Sequence, residues 1–244
     1  MKTNPLFPTS ILAVILFFIL SSSFAQQFES GVAHYVVKPI KNQEKDGRND
    51  PIKALEPFSD QISASFLFEL TFTEGLSQFV IVETDALRKF SEKSLKLSVV
   101  QFGYADTVWQ DNAGIYSKSF EGFSEREPIL IDESIPNGSW KITKEKKEID
   151  QFTCYKATRT AVIKRGSKTF STPIIAWFCP DIPVHFGPLD FGGLPGMILE
   201  AQTDKYLYGL KSIKFGKFPI AAIPTYPKFT EEQLIERLTK NPEN

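Results

Sequence analysis

Three residues lie close enough in sequence to suggest chemistry: Asp181, His185 and Asp190. A histidine between two carboxylates is the raw material of a metal site, or of a general base with its orienting acid. Loop aspartates more often bond their own backbone, so Asp181 and Asp190 read first as turn residues and His185 as a loop histidine. The chain has only two histidines, and His34 falls inside a strand pattern. No G-x-S-x-G or H-E-x-x-H occurs. No catalytic residue, metal or cofactor is assigned, and the chain is not expected to be an enzyme.

The two cysteines, Cys154 and Cys179, suggest a disulfide. If the turn between them centres on Gly166-Ser167, they face one another across a hairpin. The same register pairs Tyr155 with Phe178, Ala157 with Ala176 and Ile163 with Phe170, an apolar face. A redox pair or a soft-metal site lacks the C-x-x-C and the further ligands it needs.

Residues 180–196 contain eight glycines and prolines and run into apolar Met197-Ile198-Leu199. A P-loop needs Lys-Ser or Lys-Thr after its last glycine, and a dinucleotide fingerprint needs a helix there. Neither is present. Glycine admits backbone angles other residues avoid and proline withholds a donor, so the segment reads as an ordered crossing between two strands, a structural lid. Its functional alternative is a gate over an apolar cavity, with Trp177, His185, Phe186, Phe191, Leu194, Pro195 and Gly196 as the ligand or lid residues. Trp109 and Trp140 are further candidates for lining a pocket, although strand tryptophans are more often core.

The elements that must position these residues are mostly strands. "GVAHYVVKPI" alternates, and "SFLFELTFTEGLSQFVIVET" reads as a hairpin turning at Glu74-Gly75. That turn opposes Leu70 to Phe79 and Phe68 to Ile81. "DALRKFSEKSLKL" spaces Leu87, Phe90 and Leu95 as a helix does, with Asp85 as its N-cap. Strands are expected at about 97–109, 113–120 and 127–135. Asn137-Gly138 reads as a hairpin turn before a strand from Trp140, and "YLYGLKSIKF" as a late strand. Thr230 with Gln233 forms a capping box opening a short helix. The fold class is mainly β: an antiparallel meander making a curved sheet or open half-barrel, with one or two short helices including a C-terminal one.

The chain opens with Lys2 and ten apolar residues at 11–20, then Ser23 and Ala25. This predicts a signal peptide over 1–25 and one domain over 26–244, periplasmic or secreted. Ten helical residues span ~15 Å, short of a bilayer core of about 30 Å, so no stable membrane insertion is expected after cleavage. With 28 basic and 29 acidic residues, neither a nucleic-acid partner nor general binding to an anionic membrane is expected, since both need a basic surface.

"WKITKEKKEIDQFTCYKATRTAVI" followed by "IIAWFCPDIPVHFGPLDFGGLPGMILE" resembles the GLPGLI family of exported bacterial proteins. The signature stands here as Gly193-Leu194-Pro195-Gly196-Met197-Ile198, with methionine where the family name has leucine. Trp140, Cys154-Tyr155-Lys156-Ala157, Ala176-Trp177, Ile182-Pro183 and Gly187-Pro188 precede it in order. The resemblance covers the C-terminal half of the chain and implies an envelope protein, with no activity to carry over. The expectation is a non-catalytic binding module for an apolar ligand or an exported polypeptide. Its alternatives are an accessory protein of an outer-membrane transporter and a metal-dependent hydrolase.

Overall fold

The computed structural model describes residues 28–40, 62–102, 104, 107–118, 128–133, 140–165, 168–230, 232–234 and 236. The predicted signal peptide, the polar loop 41–50 and the Asn137-Gly138 turn lie outside them.

Among the described residues twelve strands form one open sheet: β1 (Gly31–Pro39), β2 (Phe68–Phe72), β3 (Leu76–Ile81), β4 (Val108–Asp111), β5 (Ile115–Lys118), β6 (Leu130–Glu133), β7 (Lys141–Ile149), β8 (Phe152–Arg165), β9 (Lys168–Cys179), β10 (Met197–Gln202), β11 (Tyr206–Phe215) and β12 (Lys228–Phe229). Their order across the sheet is β12-β6-β5-β4-β3-β2-β1-β11-β10-β9-β8-β7. Two meanders, β2 to β6 and β7 to β11, are thus joined through β1. Every pairing is antiparallel except that of β12 with β6. The mainly β class is as the alternation predicts, and the sheet does not close.

The local registers follow from two-residue periodicity. Phe68 pairs with Ile81 and Leu70 with Phe79, because only that alignment puts Phe68, Leu70, Phe72 and Phe79, all buried, on one face. In the β8–β9 hairpin Tyr155 pairs with Phe178, Ala157 with Ala176 and Ile163 with Phe170, as expected. The disulfide that register suggested is not formed, however, and Cys154 and Cys179 are free, buried thiols. The β8–β9 ladder starts at Tyr155–Phe178. Beyond it the cysteines pair outward, Cys154 with Lys147 and Cys179 with Met197. The Cys154 thiol donates to the Phe152 carbonyl at 3.6 Å. Hydrogen bonding between the two side chains raises the Cys154 pKa and lowers that of Cys179.

The helical segment departs from expectation. Asp85 caps nothing; it faces Arg88 at 3.4 Å. Thr84 Oγ1 accepts from Leu87 N at 3.3 Å and opens only a 3-10 turn, Leu87–Lys89, which ends at extended Phe90. The helix α1 (Glu92–Gln101) starts after Ser91, whose Oγ accepts from Ser94 N at 3.2 Å. Serine caps well because its oxygen reaches an otherwise unpaired donor of the first turn. The helix continues through 97–101, where a strand was expected. Tertiary packing decides this, since Val99 and Phe102 are buried and Phe102 meets Phe66 edge to face at 5.2 Å.

The core lies on one face of the sheet. Phe66, Phe68, Phe79, Tyr104 and Tyr208 form a ring cluster, with Phe68 stacked on Phe79 at 5.2 Å and edge-on to Tyr208 at 5.5 Å. Two buried phenols anchor this face to backbone: Tyr35 Oη donates to Ile198 O at 2.7 Å and Tyr208 Oη to Phe102 O at 2.8 Å. Burial raises both phenol pKa values, so each stays a donor.

The opposite face is covered over β3–β6 by the extended segment 217–230. Its Ile223 and Tyr226 pack on Trp109, Tyr116 and Leu130. The predicted capping box then forms reciprocally, Thr230 N to Gln233 Oε1 at 3.0 Å and Gln233 N to Thr230 Oγ1 at 3.2 Å. Residues 232–234 and 236 beyond it are helical.

Candidate functional site

The glycine- and proline-rich segment 180–196, hereafter the strap, leaves β9 at Cys179 and enters β10 at Met197. It folds back on itself. Met197 N donates to Ile182 O at 3.0 Å, Ile198 N to Phe186 O at 2.9 Å and Gly193 N to His185 O at 2.9 Å. Residues 182–186 alternate, with Ile182, Val184 and Phe186 buried and Pro183 and His185 exposed. The backbone therefore behaves as a strand that cannot join the ladder, because proline at 180, 183 and 188 removes donors.

The glycines permit this return. Gly193 has φ 79° and Gly196 φ 148°. A Cβ on Gly196 would be driven into the Cys179 carbonyl, and one on Gly192 into the Gln110 side chain. The glycine cluster is a close-packing and turn device. Leu189 also adopts a positive φ, 55°, which costs on the order of 1 kcal/mol for a non-glycine residue and is held by its burial.

Three side chains from distant strands converge on the strap. Gln110 of β4, itself buried, donates to Leu189 O at 2.8 Å and reaches Phe191 O at 3.5 Å. Trp140, just before β7, donates from Nε1 to Gly192 O at 2.9 Å. The Arg159 guanidinium of β8 lies 4.8 Å from the Trp140 ring and 5.5 Å from the Phe191 ring, with Nη2 4.0 Å from the Asp190 carboxylate. Seven inter-strand steps separate β4 from β8 in the sheet, about 34 Å if it were flat. Both reach the tripeptide Asp190-Phe191-Gly192, so the sheet must curl strongly. The strap thereby ties β4 of one meander to β8 of the other.

Asp190 keeps 43% of its side-chain exposure yet has protein on all sides at longer range. This desolvation raises its pKa, against the lowering effect of Arg159.

The residues expected to bind or gate a ligand divide sharply. Phe186, Phe191 and Leu194 are 3%, 3% and 1% exposed, and Gly196 is buried; all four belong to the packed core side of the strap. His185 and Pro195 are exposed, and His185 Nδ1 bonds Leu194 O at 2.7 Å. Trp177 alternates with buried Ala176 and Phe178 and lies on the other face of the sheet. There Lys147 Nζ sits 4.5 Å from its ring and 2.6 Å from Glu200. Asp181, His185 and Asp190 do not gather: among the described residues no three His, Cys, Asp or Glu side chains approach as metal ligands would. Trp109 is buried under the 217–230 segment and donates to Ala221 O at 3.1 Å. Gln110 and Arg159 carried no motif. A glutamine and an arginine in strand-like runs gave no signal that strap contacts would bury them.

Residues 140–200 match a family described as "Protein of unknown function (Porph_ging)". The match spans less than half of the chain and overlaps the motif series from Trp140 to Ile198; it does not carry the GLPGLI name. No curated protein matches the chain. Two solved structures are similar in fold. One, described as "Structure of PNGF-II in P21 space group", has a TM-score of 0.52 and 12% identity over 87% of this chain and 33% of that one. The other, "Structure of PNGF-II in C2 space group", has a TM-score of 0.47 and 12% identity over 86% and 33%. The chain spans about a third of the length of the solved chains it matches. At such identity the likeness is one of fold.

Proposed function

We propose that the chain is an exported envelope protein acting as a non-catalytic binding module, and that its partner is a polypeptide rather than an apolar small molecule. The observation that carries this reading is the division of the lid residues. Phe186, Phe191 and Leu194 are packed into the core and offer nothing to a ligand, whereas Trp177, Lys147 and Glu200 are partly exposed on the other face of β7–β10. A tryptophan packed partly against the core and still partly exposed, beside one charge of each sign, suits a protein interface, where aromatic residues supply much of the binding energy. An outer-membrane transporter protein belongs to the same partner class, and the motif order that resembles the GLPGLI family supports a place in the envelope. The metal-dependent hydrolase loses its support, because Asp181, His185 and Asp190 stay apart.

Native mass spectrometry of protein taken gently from a periplasm, followed by denaturing mass of the same sample, tests the reading. The expected result is one unliganded mass in both. A non-protein mass lost on denaturation would overturn the polypeptide reading in favour of a carrier. A photo-reactive residue in place of Trp177 should form a discrete crosslink to one envelope protein, and the same probe at exposed Lys211 should not.

A further inference from the structure

The β8–β9 hairpin is longer than its neighbours. β7 pairs with β8 only as far as Thr158, and β10 pairs with β9 only from Ile175 to Cys179. The pairs Thr160–Pro173, Ala161–Thr172, Val162–Ser171, Ile163–Phe170, Lys164–Thr169 and Arg165–Lys168 continue with no other described strand beside them. Six pairs make a two-stranded arm about 20 Å long. Thr160, Val162, Thr169, Ser171 and Pro173 are exposed along it, Val162 to 57%.

Its charge is one-sided. Residues 151–180 contain Lys156, Arg159, Lys164, Arg165 and Lys168 and no aspartate or glutamate, although the whole chain has a formal net charge of −1. Arg159 stays with the strap and Lys156 pairs with Glu145 at 2.9 Å. Lys164, Arg165 and Lys168 stand in the last two pairs of the ladder, with Val162, Ile163 and Phe170 in the two pairs before them.

We propose that this arm docks lengthwise on an anionic lipid surface, its basic end and the apolar residues just behind it lying together at the headgroup boundary. Three basic positions gathered at the end of the ladder, in a stretch 151–180 without aspartate or glutamate, suit such a surface although the whole chain is nearly neutral. The Ile163–Phe170 pair and the neighbouring Val162 suit a lipid interface better than a purely ionic contact. Each basic residue held near an anionic bilayer strengthens partitioning about five-fold, so three give roughly a hundred-fold, falling with salt because the interaction is screened. This is peripheral contact, separate from the polypeptide reading above, and needs no membrane-spanning segment.

The test is cosedimentation of the purified chain with vesicles of phosphatidylcholine alone and of phosphatidylcholine mixed with phosphatidylglycerol. Preferential, salt-sensitive binding to the mixed vesicles is expected. The combined K164E, R165E and K168E changes should abolish it. The charge-matched K205E, K211E and K214E control, at exposed positions in the β10–β11 turn and along β11, should retain most of it. V162D should weaken binding several-fold with all the basic residues intact. Equal binding to both vesicle types, or equal loss in arm and control variants, overturns the proposal. So does arm-dependent binding of soluble polyglutamate without retention on vesicles, which would assign the arm to an acidic polypeptide. Unchanged far-ultraviolet circular dichroism would establish that each variant keeps its fold.

Discussion

The strap 180–196 and the segment 217–230 are similar in composition and opposite in what they do. Each crosses the sheet mostly outside the ladder, the later segment joining it only through β12, and each is punctuated by proline, at 180, 183, 188 and 195 in one and at 219, 224 and 227 in the other. The strap buries Ile182, Val184, Phe186, Leu189, Phe191 and Leu194, bonds to its own backbone, and has its carbonyls capped by Gln110 and Trp140. The later segment buries no residue fully. Its ties are Trp109 Nε1 to Ala221 O, Ala221 N to Gln78 Oε1 at 3.4 Å, Leu130 N to Pro227 O at 2.9 Å and the short β12–β6 pairing. The difference teaches that proline content decides only that a segment stays out of the ladder. Whether it becomes core depends on the face of the sheet it crosses.

Gly196→Ala is the most severe way to break the strap. Both the positive φ and the Cys179 carbonyl oppose a Cβ, and the obstructing atoms are backbone, so a loss of about 3–5 kcal/mol is expected. Urea denaturation should show it, and a loss under ~1 kcal/mol would mean the turn can relax. Phe191→Ala should cost about 3–4 kcal/mol through the cavity it leaves, measured the same way. Gln110→Ala should cost about 1–3 kcal/mol by leaving the Leu189 carbonyl unpaired in the core.

In the outer segment, Ile223→Ala should cost about 1 kcal/mol or less, because the site is only partly buried. Equal costs for Phe191→Ala and Ile223→Ala would erase the distinction between the two crossings. The smallest effect concerns Asp190. Its pKa is raised in the folded state, so the native protein binds a proton more readily than the unfolded chain. The resulting penalty is present above the folded pKa and disappears as pH falls below the unfolded value. Asp190→Asn should therefore raise Tm slightly at pH 7 and leave it unchanged well below pH 4, the ordinary aspartate range. A lower Tm at pH 7 would show that pairing with Arg159 outweighs desolvation.

Much of the architecture was legible where chain neighbours pair. The Phe68–Ile81 and Tyr155–Phe178 registers are closed by short connections, so alternation alone orders their faces. The Thr230–Gln233 box needs only four consecutive residues. The helix after Asp85 was misplaced because its periodicity spans two candidate caps, and burial of Val99 and Phe102 favours Ser91. The candidate site was half legible: glycine and proline marked the strap, but its anchors were not marked.

By itself, the sequence determined most of the strands, the β2–β3 and β8–β9 registers, the terminal cap and the conformational need for glycine at the strap, because each follows from the backbone and near neighbours. Tertiary structure alone decided that β1 lies between β2 and β11, that Gln110, Trp140 and Arg159 meet on the strap, and that one proline-rich crossing is core and the other surface. These depend on contacts between residues far apart in the chain, whose partners are chosen by the curl of the sheet and the space it leaves.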